Sequence, residues 1–300
     1  MKSRTALGAA CAVGCEILYG FGYVFTKSVS DTVSAFTLLG WRFLLAFLGM
    51  SLLAAAGVLK VSYRGKKLGK ILRIALFFPV LYFAAETEGI MRTTASESGV
   101  LLACIPVASL LASSLLLKKK PAKIQTAGVG VTLVGVLVTV LGAGAKASFS
   151  VSGYFLLAVS VALYALYCVC VEKADEFTGA EITFAMLALG CLAFVPAAVA
   201  EGIARGTLRE IAAAPFHDPG FGRAVLYQGF GCSIGAFFMS NVAIARIGVN
   251  RASSFVGLST AVSILAGVGI LGEPFSFFQI VGAAVIVGGV YLANARTKTE

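Results

Sequence analysis

Histidine is almost missing from this chain: His217 stands alone among 300 residues. An imidazole-based metal centre needs further ligands at short spacing, and none exists, so no metal site and no cofactor are expected. The same scarcity speaks against a membrane enzyme, which would gather His, Asp or Cys near one face of the bilayer. Charge is scarce too, at 13% of residues. No hydrophilic stretch is long enough to fold as a soluble domain, so function has to reside among the apolar segments. Ten-residue strands of alternating polarity are lacking, which excludes a transmembrane barrel. The seven cysteines, Cys11, Cys15, Cys104, Cys168, Cys170, Cys191 and Cys232, all fall within apolar stretches. None sits in the long polar connector, so no disulfide framework is expected. Cys11 and Cys15 share a helix face without further ligands and read as small apolar fillers.

What the chain does have is hydrocarbon: 59% hydrophobic residues and a mean hydropathy of +0.94. About 20 apolar residues cross a bilayer core of roughly 30 Å. Stretches of that kind run over about 6–26, 34–59, 70–90, 96–117, 123–143, 152–171, 180–200, 222–244, 250–271 and 276–295. Lipid leaves unpaired backbone groups unsatisfied, so these are read as helices. The fold expected is an all-α membrane protein of ten transmembrane helices. The connectors are short except 201–221, which Pro215, His217, Asp218, Pro219 and Gly220 mark as a loop. Lys2 and Arg4 resemble the start of a signal peptide, but the apolar run before Cys11 is too short for one, so the first span is retained.

The net charge of +10 is a topological signal rather than a nucleic-acid one. With a cytoplasmic N-terminus, 17 of the 24 basic residues fall in inner connectors, among them Lys66, Lys67, Lys70, Lys118, Lys119, Lys120 and Lys173. Six fall outside, and Arg42 lies within a span. That split obeys the positive-inside rule, and it sets both termini in the cytoplasm of a multi-pass plasma-membrane protein.

The chain is written twice. At an offset of 154, Ile90, Arg92, Ser109, Leu111, Leu117, Gln125, Gly128, Gly135 and Val136 meet Ile244, Arg246, Ser263, Leu265, Leu271, Gln279, Gly282, Gly289 and Val290. The repeats divide at 1–145 and 146–300, with five spans each. Five is odd, so the second half enters the membrane upside down: two inverted-topology five-helix repeats, an architecture of secondary transporters.

The residues Leu271-Gly272-Glu273-Pro274, Gln279-x-x-Gly282 and Gly288-Gly289-Val290 carry a resemblance, with Thr93-Thr94-Ala95-Ser96, Ile105-Pro106-Val107 and Trp41-Arg42-Phe43. Together they resemble the drug/metabolite transporter superfamily, in particular its EamA-type members. The resemblance implies a carrier of small metabolites, with a central cavity lined by spans 1, 3, 4, 6, 8 and 9. It also implies that spans 5 and 10 pack together outside that cavity. Gly128, Gly130, Gly135 and Gly142 on one and Gly282, Gly288 and Gly289 on the other suit close approach in lipid. One departure stands out. The glutamate matched by Glu273 usually has a counterpart in the first half, where this chain has Lys119.

Charged side chains inside a bilayer cost at least ~2.5–3.5 kcal/mol on insertion scales, and so are candidates for function. Glu16 falls near the midplane of the first span. Glu86 and Arg42 fall at similar depth in the third and second spans, where they can pair. Glu88 and Arg92 are four residues apart and read as a helix ion pair near the surface. Glu97 opens the fourth span, where a carboxylate meets the positive helix end. Tyr19 shares a face with Glu16, and Tyr82 lies one turn before Glu86. Tyr164, Tyr167, Gln228 and Asn241 complete the polar set. Pro106 and Pro196 are expected to bend their helices.

These residues suit a secondary transporter of small organic metabolites, such as amino acids or related solutes, working by alternating access. Its partners are the solute, the lipid bilayer and, where a carboxylate out of water takes up a proton, protons. A carrier of lipid-linked, amphipathic or cationic compounds remains an alternative. So does a membrane receptor or enzyme without transport.

Overall fold

In the computed structural model, residues 2–29, 32–92, 102, 104–142, 150–271 and 277–294 are described. Every regular element among them is helical: α1 (Lys2–Val29), α2 (Ala35–Ala55), α3 (68–91), α4 (Ile105–Leu116), α5 (Lys123–Gly142), α6 (Val151–Glu172), α7 (Gly179–Arg205), α8 (Pro219–Ile247), α9 (Gly257–Leu271) and α10 (Phe277–Asn294). Short helices Leu208–His217 and Val249–Ser253 lie between them. Six of these, α1, α2, α3, α6, α7 and α8, are long and apolar enough to cross a membrane; α4 and Ile280–Ala293 of α10 are shorter apolar helices. Thr93–Ser96, Glu97 and Gly272-Glu273-Pro274 lie outside the described residues.

Local chemistry sets the helix ends. The Ser34 hydroxyl accepts from the Thr37 amide at the start of α2, and Thr178 and Glu181 form a reciprocal capping box on α7. Gly206 (φ 69°) and Gly248 (φ 78°) close α7 and α8 in a backbone region that glycine enters without penalty. The solvation pattern is that of a protein in lipid. Leu115 and Leu192 are 76% and 70% exposed, whereas Glu16, Arg42, Glu86, Gln228 and Asn241 are all buried.

Contacts between helices follow a pairing that survives exchange of the two halves. The helix α1 packs on α8 and α9, while α6 packs on α3 and α4. Likewise α2 meets α8, as α7 meets α3. Two further pairs, α2 with α7 and α5 with α10, map onto themselves, whereas α7 with α8 and α9 with α10 touch more closely than their counterparts do among the described residues. The pair of α5 with α10 is the glycine seam. A Cβ added at Gly128 would stand 2.2 Å from the Ala293 amide nitrogen, and one at Gly289 would stand 2.5 Å from that of Thr132. Gly135 packs as tightly on Ile286, whereas Gly130 and Gly288 face open space. Two of the obstacles at Gly289, the Thr132 amide nitrogen and the Gly128 carbonyl oxygen, are backbone and cannot step aside. Gly289→Val should therefore cost about 1–3 kcal/mol of overpacking, read as a lower melting temperature in detergent, while Gly288→Val should be nearly neutral.

Several sequence expectations need correction. The segment 201–221 is not a loop. The helix α7 runs on to Arg205, Leu208–His217 forms a further helix through Pro215, and Asp218 caps α8 with Pro219 in its first turn. Proline fits there because its missing amide would be unbonded anyway. The ninth span is not continuous either, since Ser254–Val256 form a turn ahead of α9. Pro106 sits in the first turn of α4, and most of the residues just before it lie outside the described residues. Pro196 lies inside α7, which continues through it. The pronounced break lies elsewhere: Phe78 leaves helical geometry (φ −143°, ψ 116°) in mid-α3. Pro79 follows it, and a proline disfavours the α region for the residue before it.

Candidate functional site

The break in α3 turns the Phe78 ring into the bundle, where it meets Tyr82, Phe83, Tyr164, Tyr167 and Phe237. Above this aromatic floor lies a cavity of about 180 Å³. One water needs about 10–15 Å³, so the space suits a solute on the order of ten heavy atoms. Its wall comes from α1, α2, α3, α4, α6, α8 and the start of α9. The helices implied by the family resemblance all contribute, and α2 joins them through Leu38, Leu39 and Arg42.

The polar lining is concentrated in a few groups. Glu16, 5% exposed, stands beside Ser259. The Tyr82 hydroxyl donates to Glu86 Oε1 at 2.7 Å, as their one-turn spacing suggested. Gln228 Nε2 donates to the Gly22 carbonyl at 3.0 Å and to Thr26 Oγ1 at 2.5 Å, fixing α8 against α1. Gly22 permits this approach, because a Cβ there would lie 2.8 Å from Cys232 Sγ. Tyr19 and Tyr164 face the same space.

Arg42 differs from the expectation of pairing with Glu86. No ion pair joins them; the guanidinium Nε donates to Ser233 Oγ at 2.7 Å, and its carbon lies 4.5 Å from the Phe83 ring centre. Equal depth in two helices does not ensure equal azimuth. Glu88 and Arg92 do form the expected ion pair, at 3.1 Å, partly exposed.

The two ends of the cavity differ. At one end Val33, Ser34 and Ala35, where α2 begins, border both the cavity and a shallow surface pocket carrying Glu88, Glu201 and Arg205. This is the mouth. Below the floor the helices are sealed. Tyr167, fully buried, donates to Asn241 Oδ1 at 2.8 Å, and Asn241 Nδ2 donates to Thr183 Oγ1 at 3.1 Å. Tyr167 and Asn241 thus form a polar plug under the cavity rather than part of its wall.

Beyond the plug lies a basic end. Lys66 and the Ser62 amide bind Glu181 at 2.6 and 3.1 Å. Lys119 contacts Glu172, whose other oxygen accepts from the Val249 amide at 2.7 Å. Lys173 Nζ donates to the Leu116 carbonyl at 3.0 Å. Lys119, in the connector after α4, therefore ties that connector to the end of α6. Sequence reasoning missed Glu172, Glu181, Ser233 and Phe78. Only Phe78 carried a signal, the proline after it in mid-span.

Comparison with known proteins agrees with this architecture. The EamA-like transporter family matches twice, over residues 6–141 and 151–295. The uncharacterized transporter YcxC of Bacillus subtilis is 30% identical over the whole of this chain and 96% of its own length. A probable terminal-alkyne amino-acid exporter of Streptantibioticus cattleyicolor is 25% identical over 70% of this chain and 67% of its own. A crystal structure of a protein sharing 19% identity superposes with a TM-score of 0.74 over 97% of each chain, a likeness of fold alone.

Proposed function

This chain belongs to the EamA-like transporter family, and from that premise we propose that it is a secondary transporter of amino acids or closely related small solutes, working by alternating access. That it is a multi-pass membrane transporter follows from the family and its relatives. The observation that carries the finer reading is a central cavity, mostly apolar but carrying Glu16, Arg42, Glu86 and Gln228, that borders the surface at the mouth and is closed toward the basic end. A carrier caught with one gate open has this form; a channel would be open at both.

The reading includes ten crossings arranged as inverted repeats, 1–145 and 146–300. The double family match and the helix pairings that survive exchange of halves support it. On the positive-inside rule we assign the basic end and the termini to the cytoplasmic side of the plasma membrane, a reading in which this conformation is outward-facing. Glu16, buried without a basic partner among the described residues, is proposed as the proton carrier. An amino acid as cargo suits a cavity that holds carboxylates and a guanidinium together, and the Streptantibioticus relative bears an amino-acid exporter's name.

The test is counterflow in proteoliposomes preloaded with each common L-amino acid and with propargylglycine. Saturable exchange of at least one is expected. If none exchanges while the reconstituted protein stays monodisperse, the substrate class is wrong.

A further inference from the structure

A buried charge without a counter-charge needs an explanation, and Arg42 is such a charge. It is 6% exposed and points into a cavity enclosed by apolar helices. Its Nε is spent on Ser233, a neutral hydroxyl. Rings of Phe83, Phe43 and Phe237 lie 4.5, 5.5 and 5.9 Å from its carbon, so they hold the plane without neutralising it. Nη2 is buried and has no hydrogen-bond partner. Glu86 stands within electrostatic range but gives its oxygen to Tyr82 instead. The Tyr19 hydroxyl, across the same cavity, is also buried without a partner.

A buried donor left unsatisfied is costly, and more so when it is charged. Evolution of a purely structural arginine at this depth would place a carboxylate against it. Here two carboxylates line the cavity and neither is ion-paired to it. The arrangement is that of a guanidinium held ready: the Phe83 ring and the Ser233 bond hold the fork at the cavity wall, and Nη2 is left there without a partner. A planar fork of this kind matches a carboxylate, which can accept two parallel hydrogen bonds.

We propose that Arg42, with the Tyr19 hydroxyl, is the subsite that binds the carboxylate of the transported solute, leaving the cavity carboxylate Glu86 to face its amine. This assignment rests on the amino-acid reading above. It makes Arg42 a binding residue, not half of a structural ion pair.

The experiment compares each L-amino acid that the wild-type protein exchanges with its carboxamide, which keeps the amine and loses the anion. Wild type should exchange the acid at least about tenfold better, and Arg42→Met should remove that preference by lowering acid exchange about tenfold to hundredfold. Arg42→Lys, which keeps the charge but not the fork, and Tyr19→Phe guard against misfolding and should each narrow the preference in part. Arg42 in intact wild-type protein should also be protected from phenylglyoxal by the acid and not by the amide. Exchange of amino acids with equal acceptance of their amides, or an unchanged preference in a folded Arg42→Met protein, overturns this subsite while leaving the transport reading in place. Absence of any amino-acid exchange overturns both.

Discussion

Glu16→Gln is expected to abolish proton-driven accumulation while sparing exchange. The substitution keeps the side-chain size and removes the group that can carry a proton. Glu16 lies in α1 at the cavity wall, 5% exposed, beside Ser259 and in none of the ion pairs among the described residues. A carboxylate in that position is costly when charged, and protonation relieves the cost. Conformational exchange between a protonated and an unprotonated form is then coupled to the pH gradient. Vesicles with an imposed pH gradient should show uphill uptake in wild type and only background in the variant. Counterflow at equal pH should persist, because it needs no net proton movement. Uphill uptake that survives in Glu16→Gln would move the coupling role to Glu86, whose oxygen already holds the Tyr82 hydroxyl. Loss of exchange along with accumulation would make Glu16 a contact for the solute's amine instead.

The spans themselves were legible because lipid imposes a simple rule: apolar length becomes helix. The expected 123–143 appears as Lys123–Gly142, and 152–171 as Val151–Glu172. The cavity was partly legible for the same reason. A charge or amide in mid-span must be buried, and Glu16, Glu86, Tyr19, Tyr82, Tyr164 and Gln228 all reach one space. What linear depth does not carry is rotation about the helix axis. Arg42 and Glu86 lie at matching depth, yet the break at Phe78 and the Tyr82 bond turn Glu86 elsewhere. Tyr167 and Asn241 share a cross-helix hydrogen bond below the cavity, which no spacing within either helix announces. The amphipathic helix Leu208–His217 was hidden by its prolines and glycine neighbours. Trp41 shows why it forms there, since its indole donates to the Ile211 carbonyl at 2.8 Å and holds the segment against α2.

Linking Lys119 to Glu172 is expected to stop transport altogether. Glu172 ends α6, in the second half of the chain, and Lys119 lies in the connector between α4 and α5, in the first. The same carboxylate accepts from Val249 at the head of the short helix before α9, and the neighbouring Lys173 reaches the Leu116 carbonyl. These bonds close the basic end. They are also weak enough to serve as a gate: Lys119 is 57% exposed, and an ion pair so open to water is worth only ~0–1 kcal/mol. Differential binding of solute and proton can readily exceed that, as a population shift requires. Under the proposed alternating access, the basic end must open whenever the mouth closes, and these contacts must part. Lys119→Cys and Glu172→Cys, in a background with the seven native cysteines replaced, can be joined by a thiosulfonate cross-linker. Counterflow should vanish on cross-linking and return on reduction, while either single cysteine treated alike keeps its activity. Cross-linked protein should still bind solute, because the mouth at Ser34 stays open. Full exchange through the cross-linked protein would mean that this end does not part during transport, and the outward-facing assignment would fall with it.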